Sequence, residues 1–466
     1  MGESRKLLLI ILNICYFGTK MAKVGFEFMK RVMFAALIFI AAILITAHPA
    51  SGRNYKHKLE DYLDAAHRLW GFSGAVLVAD HGRILLNRGY GMSNQDLGEP
   101  NTPETRFFIG SITKQFTAAA ILALQEDSLL NIDDSIAKYL PDYPPDPGNR
   151  ITIKELLTHT SGIPNYTDDA ELIVRRSIPM TPEQIIEIFK YRPLEFEPGS
   201  RFKYSNSGYV LLGKIIEAVS GQSYEAFMHH RIFKPAGMNN TGYGRRESGI
   251  PNRADGYTTS SNGRVIDALP VDFSVMFSSG ALYSTVEDMH RWDGLLYTEK
   301  LLKKESINSM FEPFKGNYGF GWYIESRFGR RHAYHGGFLD GFNTITDRWL
   351  DDSLEIIVFS NEDEAPVAKI ARGISAIAFD QRFESPLRKR AIATTPRRVK
   401  EYEGVYRIDE GAYQFISLED DTLYTHLRGM PLQAILPQSD DTFFFACDNN
   451  KILAFRRDSQ GQVLGF

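Results

Sequence analysis

Hydrophobic and polar positions fall into two rhythms along this chain. Ser73–Gly91 (SGAVLVADHGRILLNRGYG) alternates apolar and small residues around His81-Gly82, which predicts two strands and a tight turn. FFIGSITKQFTAAAILALQE (Phe107–Glu126) predicts a helix, apolar on all sides from Ala118 to Leu124 and therefore buried. Ile151–Thr158 predicts a short helix stopped by Gly162 and Pro164. Thr181-Pro182-Glu183-Gln184 is a capping box with proline at the first helical position, so Pro182–Lys190 should be helical. Gly208–Gly221 and Ser223–Phe233 read as two more helices, and Ser284-Thr285-Val286-Glu287 as a second capping box opening a helix through Trp292. FGWYIES, HAYHGGF, FNTITDRWL and LEIIVFSN then read as successive strands. Strands at both ends and helices between them predict one α+β or α/β body over residues 55–385.

The next stretch breaks the rhythm. SPLRKRAIATTPRRVK carries six basic residues and two prolines, and reads as a solvated basic linker over 386–400. From 401 to 466 short alternating strands predict a small all-β domain. The chain stops at Phe466 just after a hairpin turn at Asp458–Gly461, which predicts a short or missing closing strand.

The first 50 residues differ from the rest. Met29-Lys30-Arg31 precedes an uncharged apolar run, Val32–Ala47, followed by HPASG. That pattern is a secretory signal peptide, or an uncleaved membrane anchor if it is retained. In both readings the body is exported, to the periplasm or the outside of the cell. The leader carries a net charge of +4 within a chain total of −4, so the remaining body is acidic, about −8. An acidic body argues against nucleic-acid binding. Cys15 lies in the leader and Cys447 near the C-terminus, so the body has no cysteine pair to oxidise and no cysteine-based metal site. Cys447 is expected in a buried strand. No His and carboxylate cluster has metal spacing, and no cofactor is expected.

The chemistry begins at the buried helix. Ser111 and Lys114 sit one turn apart on one face at its start. A lysine partly desolvated near the positive end of a helix dipole loses its proton more readily. A neutral lysine can then take the proton of a serine hydroxyl, and the backbone N–H of Ser111 can face a developing oxyanion. A Ser-x-x-Lys match arises about once by chance in a chain of this length. Ser200-Arg201-Phe202-Lys203 is a second match, with no apolar helix behind it, and reads as loop. Two further triplets change the balance. Tyr204-Ser205-Asn206 precedes a helix: the tyrosine, held partly as phenolate, can act as base or relay, and the asparagine can bind a substrate amide. His335-Gly336-Gly337 lies on a predicted strand, where glycine admits a substrate backbone, the N–H of Phe338 can supply a second oxyanion donor, and the histidine can hold a carboxylate or assist proton transfer. His159 and His290 read as structural, and Tyr62, Trp70, Trp292 and Trp322 as core.

The order Ser-x-x-Lys, Tyr-x-Asn, His-x-Gly resembles the penicillin-recognising serine hydrolases, which include class C β-lactamases, D-Ala-D-Ala carboxypeptidases, D-aminopeptidases and esterases. LLTHTSGIP, YSNSGYVLLGKIIEAVSG, YEAFMHHRIFKPAGM and SSGALYSTVEDMHRW extend the resemblance across roughly Ser73–Asn361. It implies an α+β, β-lactamase/transpeptidase-like fold: an antiparallel sheet flanked by helices, a helical subdomain and the small C-terminal all-β domain. It implies Ser111 as the acylated nucleophile, Lys114 and Tyr204 as its proton-transfer partners, and Asn206, His335 and Gly337 as substrate contacts. The third motif departs from the Lys-Thr-Gly usual in β-lactamases, so the cation and hydroxyl that hold a lactam carboxylate are absent. The expectation is therefore an exported serine hydrolase acting through an acyl-enzyme on small esters, amides or D-amino-acid peptides. The alternatives are a β-lactamase-type hydrolase and a non-catalytic cell-wall or peptide-binding protein on the same fold.

Overall fold

The computed structural model describes residues 51–466 apart from 245–248, 261–263, 387–390, 410–411, 428–431 and 447–451. The predicted leader, Cys15 and Cys447 lie outside the described residues. Six strands form the central sheet: β1 (Gly74–Asp80), β2 (Arg83–Tyr90), β3 (Tyr323–Arg327), β4 (Arg330–Leu339), β5 (Phe342–Trp349) and β6 (Leu354–Ser360), in the spatial order β3-β4-β5-β6-β1-β2. Every neighbouring pair is antiparallel. The predicted turn between β1 and β2 is present, with φ +49° at His81 and +74° at Gly82, the twist a two-residue hairpin requires. All seven residues of β6 are buried, because helices cover both of its faces; the edge strand β2 keeps exposed positions.

Leu59 to Phe466 forms one compact unit. The helices that matter here are α1 (Ser51–Trp70), α2 (Thr113–Glu126), α3 (Ile153–Leu157), α4 (Pro182–Phe189), α5 (Asn206–Ser220), α6 (Val286–Leu295) and α7 (Val367–Ala378). Tyr62 of α1 hydrogen-bonds the Lys369 carbonyl of α7 (3.3 Å). Tyr62, Trp292 and Trp322 are buried, and Trp70 is half-buried. The capping box at Thr181 has both of its bonds, to and from Gln184. A second box that the sequence reading did not pick out, Thr152 with Glu155, opens α3. The box expected at Ser284 is displaced by one residue: Thr285 caps α6 by accepting from the Asp288 N–H, which leaves the Ser284 hydroxyl to pair with Thr241. The helix expected over Ser223–Phe233 is a short α-turn continuing into a π-helical segment, Met228–Phe233.

The C-terminal strands form a separate six-stranded antiparallel sheet, Gly404–Asp409 through Ile452–Ala454, and a hairpin in which Val463–Gly465 pairs with Arg456–Arg457. It has its own apolar cluster, which includes Val399, Tyr402, Phe443 and Phe455. Pro396–Lys400 is a helix capped by Thr395. The end of the expected linker therefore belongs to this unit, because Val399 packs into its core.

α2 is buried from Thr113 to Leu124. It packs on α5 and on the segment Phe277–Gly280. Gly213 makes that packing close: a Cβ there would lie 2.1 Å from Ser278 Oγ and 2.6 Å from Phe277 Cε1. Gly213→Ala gains at most about 1 kcal/mol of helix propensity. It loses about 1–3 kcal/mol to overpacking and must break the Ser278 hydroxyl bond to the Tyr209 carbonyl (2.8 Å). We expect a net loss of stability in urea denaturation, with an unchanged m-value.

Candidate active site

Ser111 does not lie in the α-helix itself. Phe107–Phe108 is a two-residue strand and Gly110–Ile112 a 3₁₀ turn, after which α2 starts at Thr113. The apolar run made the helix look longer than it is. Ser111 and Lys114 still face each other, with Lys114 Nζ 3.0 Å from Ser111 Oγ.

Lys114 is fully buried, and desolvation holds its pKa well below the usual lysine value. Its amine meets three oxygens: Ser111 Oγ, Asn206 Oδ1 (2.8 Å) and the Ser279 carbonyl (2.7 Å). A neutral amine has two N–H donors and one lone pair. Asn206 Oδ1 and the Ser279 carbonyl can only accept, so they take both hydrogens. The lone pair is left for the hydroxyl proton of Ser111. At the other end of the Asn206 amide, Nδ2 donates to Thr167 Oγ1 (3.1 Å). Asn206 opens α5, and its backbone N–H donates to Asn165 Oδ1 (2.9 Å). The side chain predicted to bind substrate is thus engaged first in orienting the lysine.

Tyr204 stands beside this pair. The Lys114 amine lies 4.9 Å from its ring centroid, and the Ser111 hydroxyl is near enough to lower its phenol pKa, though by less than burial raises it. Burial pushes the phenol pKa well above 10, so the expected partial phenolate is not present: Tyr204 is a neutral phenol. An aromatic wall holds its ring, with His159 at 4.3 Å between centroids and Tyr318 at 6.4 Å. His159 is buried, as a structural histidine should be, yet it belongs to this wall; its Nδ1 accepts the Ser205 N–H (3.2 Å). His290 lies elsewhere, against Glu355 (2.6 Å).

His335 is also corrected. It is 2% exposed, its Nε2 pairs with the Tyr318 hydroxyl (3.0 Å), and its Nδ1 with the Gly336 carbonyl (2.6 Å). Burial, the largest influence on it, pulls its pKa down to about 3. A neutral imidazole with both nitrogens engaged cannot serve as the cation for a substrate carboxylate. Gly337 is required for a reason other than the one expected. A Cβ there would sit 1.9 Å from the Ile109 carbonyl, so the glycine lets β4 lie directly against the nucleophile turn. Thr344 of β5 ties the two together by donating to the Ile109 carbonyl (3.0 Å). Phe338 follows and is 65% exposed.

The second Ser-x-x-Lys match is loop, with Lys203 paired to Glu195 (2.6 Å). Among the described residues no cluster of His, Cys, Asp or Glu could hold a metal ion. The sequence reading missed Ser279, Asn165, Thr167 and Tyr318. Only Ser279 left a trace, in the stretch SSGALYSTVEDMHRW. It follows a strained turn in which Phe277, a bulky residue, has φ +39° and ψ −132°.

The beta-lactamase family model matches residues 60–378. The chain belongs to this family of penicillin-recognising serine hydrolases. It is 32% identical over 412 residues to penicillin-binding protein 4* of Bacillus subtilis, covering 80% of this chain and 88% of that one. The structure superposes on the octameric penicillin-binding protein homologue from Pyrococcus abyssi with a TM-score of 0.63 and 29% identity, over 86% and 95% of the two chains. It also superposes on a D-stereospecific amidohydrolase from Streptomyces sp. with a TM-score of 0.59 and 27% identity, over 70% and 98%. The fold is accordingly β-lactamase/transpeptidase-like, with the C-terminal strands as an addition.

The buried lysine yields a stability prediction. Its folded pKa is depressed, so between that value and about 10.5 the unfolded chain binds a proton that the folded chain does not. Stability therefore rises with pH through this window. We expect the unfolding free energy of the wild type to increase relative to that of Lys114→Met as pH goes from 7 towards 10, in parallel denaturant titrations.

Proposed function

We infer that this protein is a serine hydrolase that transfers acyl groups through an ester on Ser111, acting on small esters, amides or D-amino-acid peptides. The observation that carries this reading is the donor count around Lys114, which leaves the lysine lone pair facing the Ser111 hydroxyl. Ser111 Oγ attacks the carbonyl carbon as its proton passes to Lys114 Nζ. The oxyanion is received by the backbone N–H groups of Ser111 and Phe338. Tyr204, a neutral phenol beside Ser111, donates its proton to the leaving nitrogen or oxygen and is restored from the lysine ammonium. Water then cleaves the ester by the reverse route. Penicillin-binding and D-stereospecific amidohydrolase relatives support this substrate range. The lack of a cation or hydroxyl at positions 335 and 336 weighs against efficient β-lactam hydrolysis.

Export of this enzyme is part of the same reading, and rests on the basic residues and apolar run at Met29–Ala47. Among the described residues no helix is long and apolar enough to cross a membrane.

Intact-mass spectrometry after a fluorophosphonate probe should show one adduct, mapping to Ser111 and missing from Ser111→Ala. An unlabelled wild type that binds peptidoglycan fragments would favour the non-catalytic alternative. In a pH profile of kcat/KM on a p-nitrophenyl ester, we expect a rising limb well below pH 10.5 as Lys114 deprotonates. No falling limb should appear before pH 10, because Tyr204 keeps its proton. Lys114→Met should lower kcat by about 10²–10⁴-fold.

A further inference from the structure

β4 outruns its neighbour on one side. β3 pairs with it only as far as Tyr323–Tyr334, whereas β5 accompanies it to Leu339. His335–Leu339 therefore has an edge that no described strand pairs. The nucleophile turn lies against this stretch: a Cβ on Gly110 would be 3.0 Å from the Phe338 amide nitrogen. Asp340 comes two residues after Phe338, in the tight turn that joins β4 to β5, and so within about 7 Å of it. There Arg176 Nη1 holds Asp340 Oδ1 at 3.1 Å, with both side chains partly buried. Arg176 ends a segment that begins beside the catalytic pair. Asn165 takes the Asn206 N–H and Thr167 takes the Asn206 amide. The Arg176 carbonyl then accepts the Asp272 N–H (2.9 Å). The segment 165–176 touches the catalytic asparagine at one end and closes on the end of β4 at the other.

The position of the proton donor sets the direction of the substrate. The leaving group must lie towards Tyr204, whose ring is 6.2 Å from that of His335 at the start of the open edge. The acyl portion then runs the other way, past Phe338 towards Asp340. In a peptide-like substrate the acyl side is the N-terminal side, so a short acyl donor brings its α-amino group to this end. A carboxylate has lone pairs on both oxygens and can accept an ammonium while still holding Arg176.

We propose that Asp340, fixed in place by Arg176, is the subsite for the free α-ammonium of a single-residue acyl donor. This makes the enzyme selective for amino-acid amides and esters over N-blocked ones. The proposal rests on acyl transfer at Ser111. The test compares kcat/KM for D-alanine p-nitroanilide and N-acetyl-D-alanine p-nitroanilide, with p-nitrophenyl acetate as a third substrate. The wild type should prefer the free amine by at least about ten-fold, the scale of one charge-assisted hydrogen bond. Asp340→Asn should erase most of that preference, chiefly through KM. Arg176→Gln, which keeps the carboxylate but loosens it, should reduce the preference by less, and serves if Asp340→Asn does not fold. An unchanged preference in both variants, or a wild type that cleaves the acetate but favours the N-acetyl anilide, overturns the subsite alone. A wild type that cleaves none of the three and takes no label at Ser111 overturns acyl transfer, and the subsite with it.

Discussion

One amine surrounded by three oxygens organises this molecule. Lys114 is carried at the start of a buried helix, and among the described residues the hydrogen-bond partners of its amine arrive from three separate stretches of chain: the turn at Ser111, the start of α5 at Asn206 and the turn at Ser279. Burying a charged ammonium there would cost several kcal/mol. The neutral form avoids most of that cost and leaves a base at the nucleophile. The energetic penalty of the buried lysine and its chemical use are thus the same fact.

Much of the packing serves to hold those three partners still. Gly213 lets α5 approach the Ser278–Ser279 turn, and Gly337 lets β4 approach the Ile109 carbonyl. Either approach is closer than a Cβ would permit. The aromatic wall does the same for Tyr204: His159, Tyr209 and Tyr318 surround the site, and the Tyr209 hydroxyl is anchored to the Leu157 carbonyl (2.9 Å). Dense packing around a polar centre excludes water, which strengthens each hydrogen bond and holds His335 and Tyr204 uncharged. The site is therefore a set of neutral groups positioned for proton transfer.

A sequence reading recovered a good part of this, and its errors have physical causes. The hairpin at His81-Gly82, the capping box at Thr181 and the four strands from Tyr323 to Ser360 were legible because each depends on local backbone preference and on period-two or period-3.6 burial. The sequence pattern starts α2 too early, because Phe107 and Phe108 are as apolar as a buried helix but pair as a strand with Tyr283–Ser284. The cap of α6 slipped by one because two hydroxyl residues stood side by side and a tertiary partner, Thr241, claimed the first.

The sequence alone determined which side chains could do chemistry: a serine and lysine one turn apart, a tyrosine and asparagine before a helix, a histidine and glycines on a strand. Residue type and short-range spacing are written in the chain directly. What each group does was decided only by the tertiary structure. Desolvation, which depends on everything packed nearby, left Lys114 and His335 to neutral forms and kept the proton on Tyr204. The amide of Asn206 spans Lys114 and Thr167, contacts 92 and 39 residues away in sequence that no local pattern encodes.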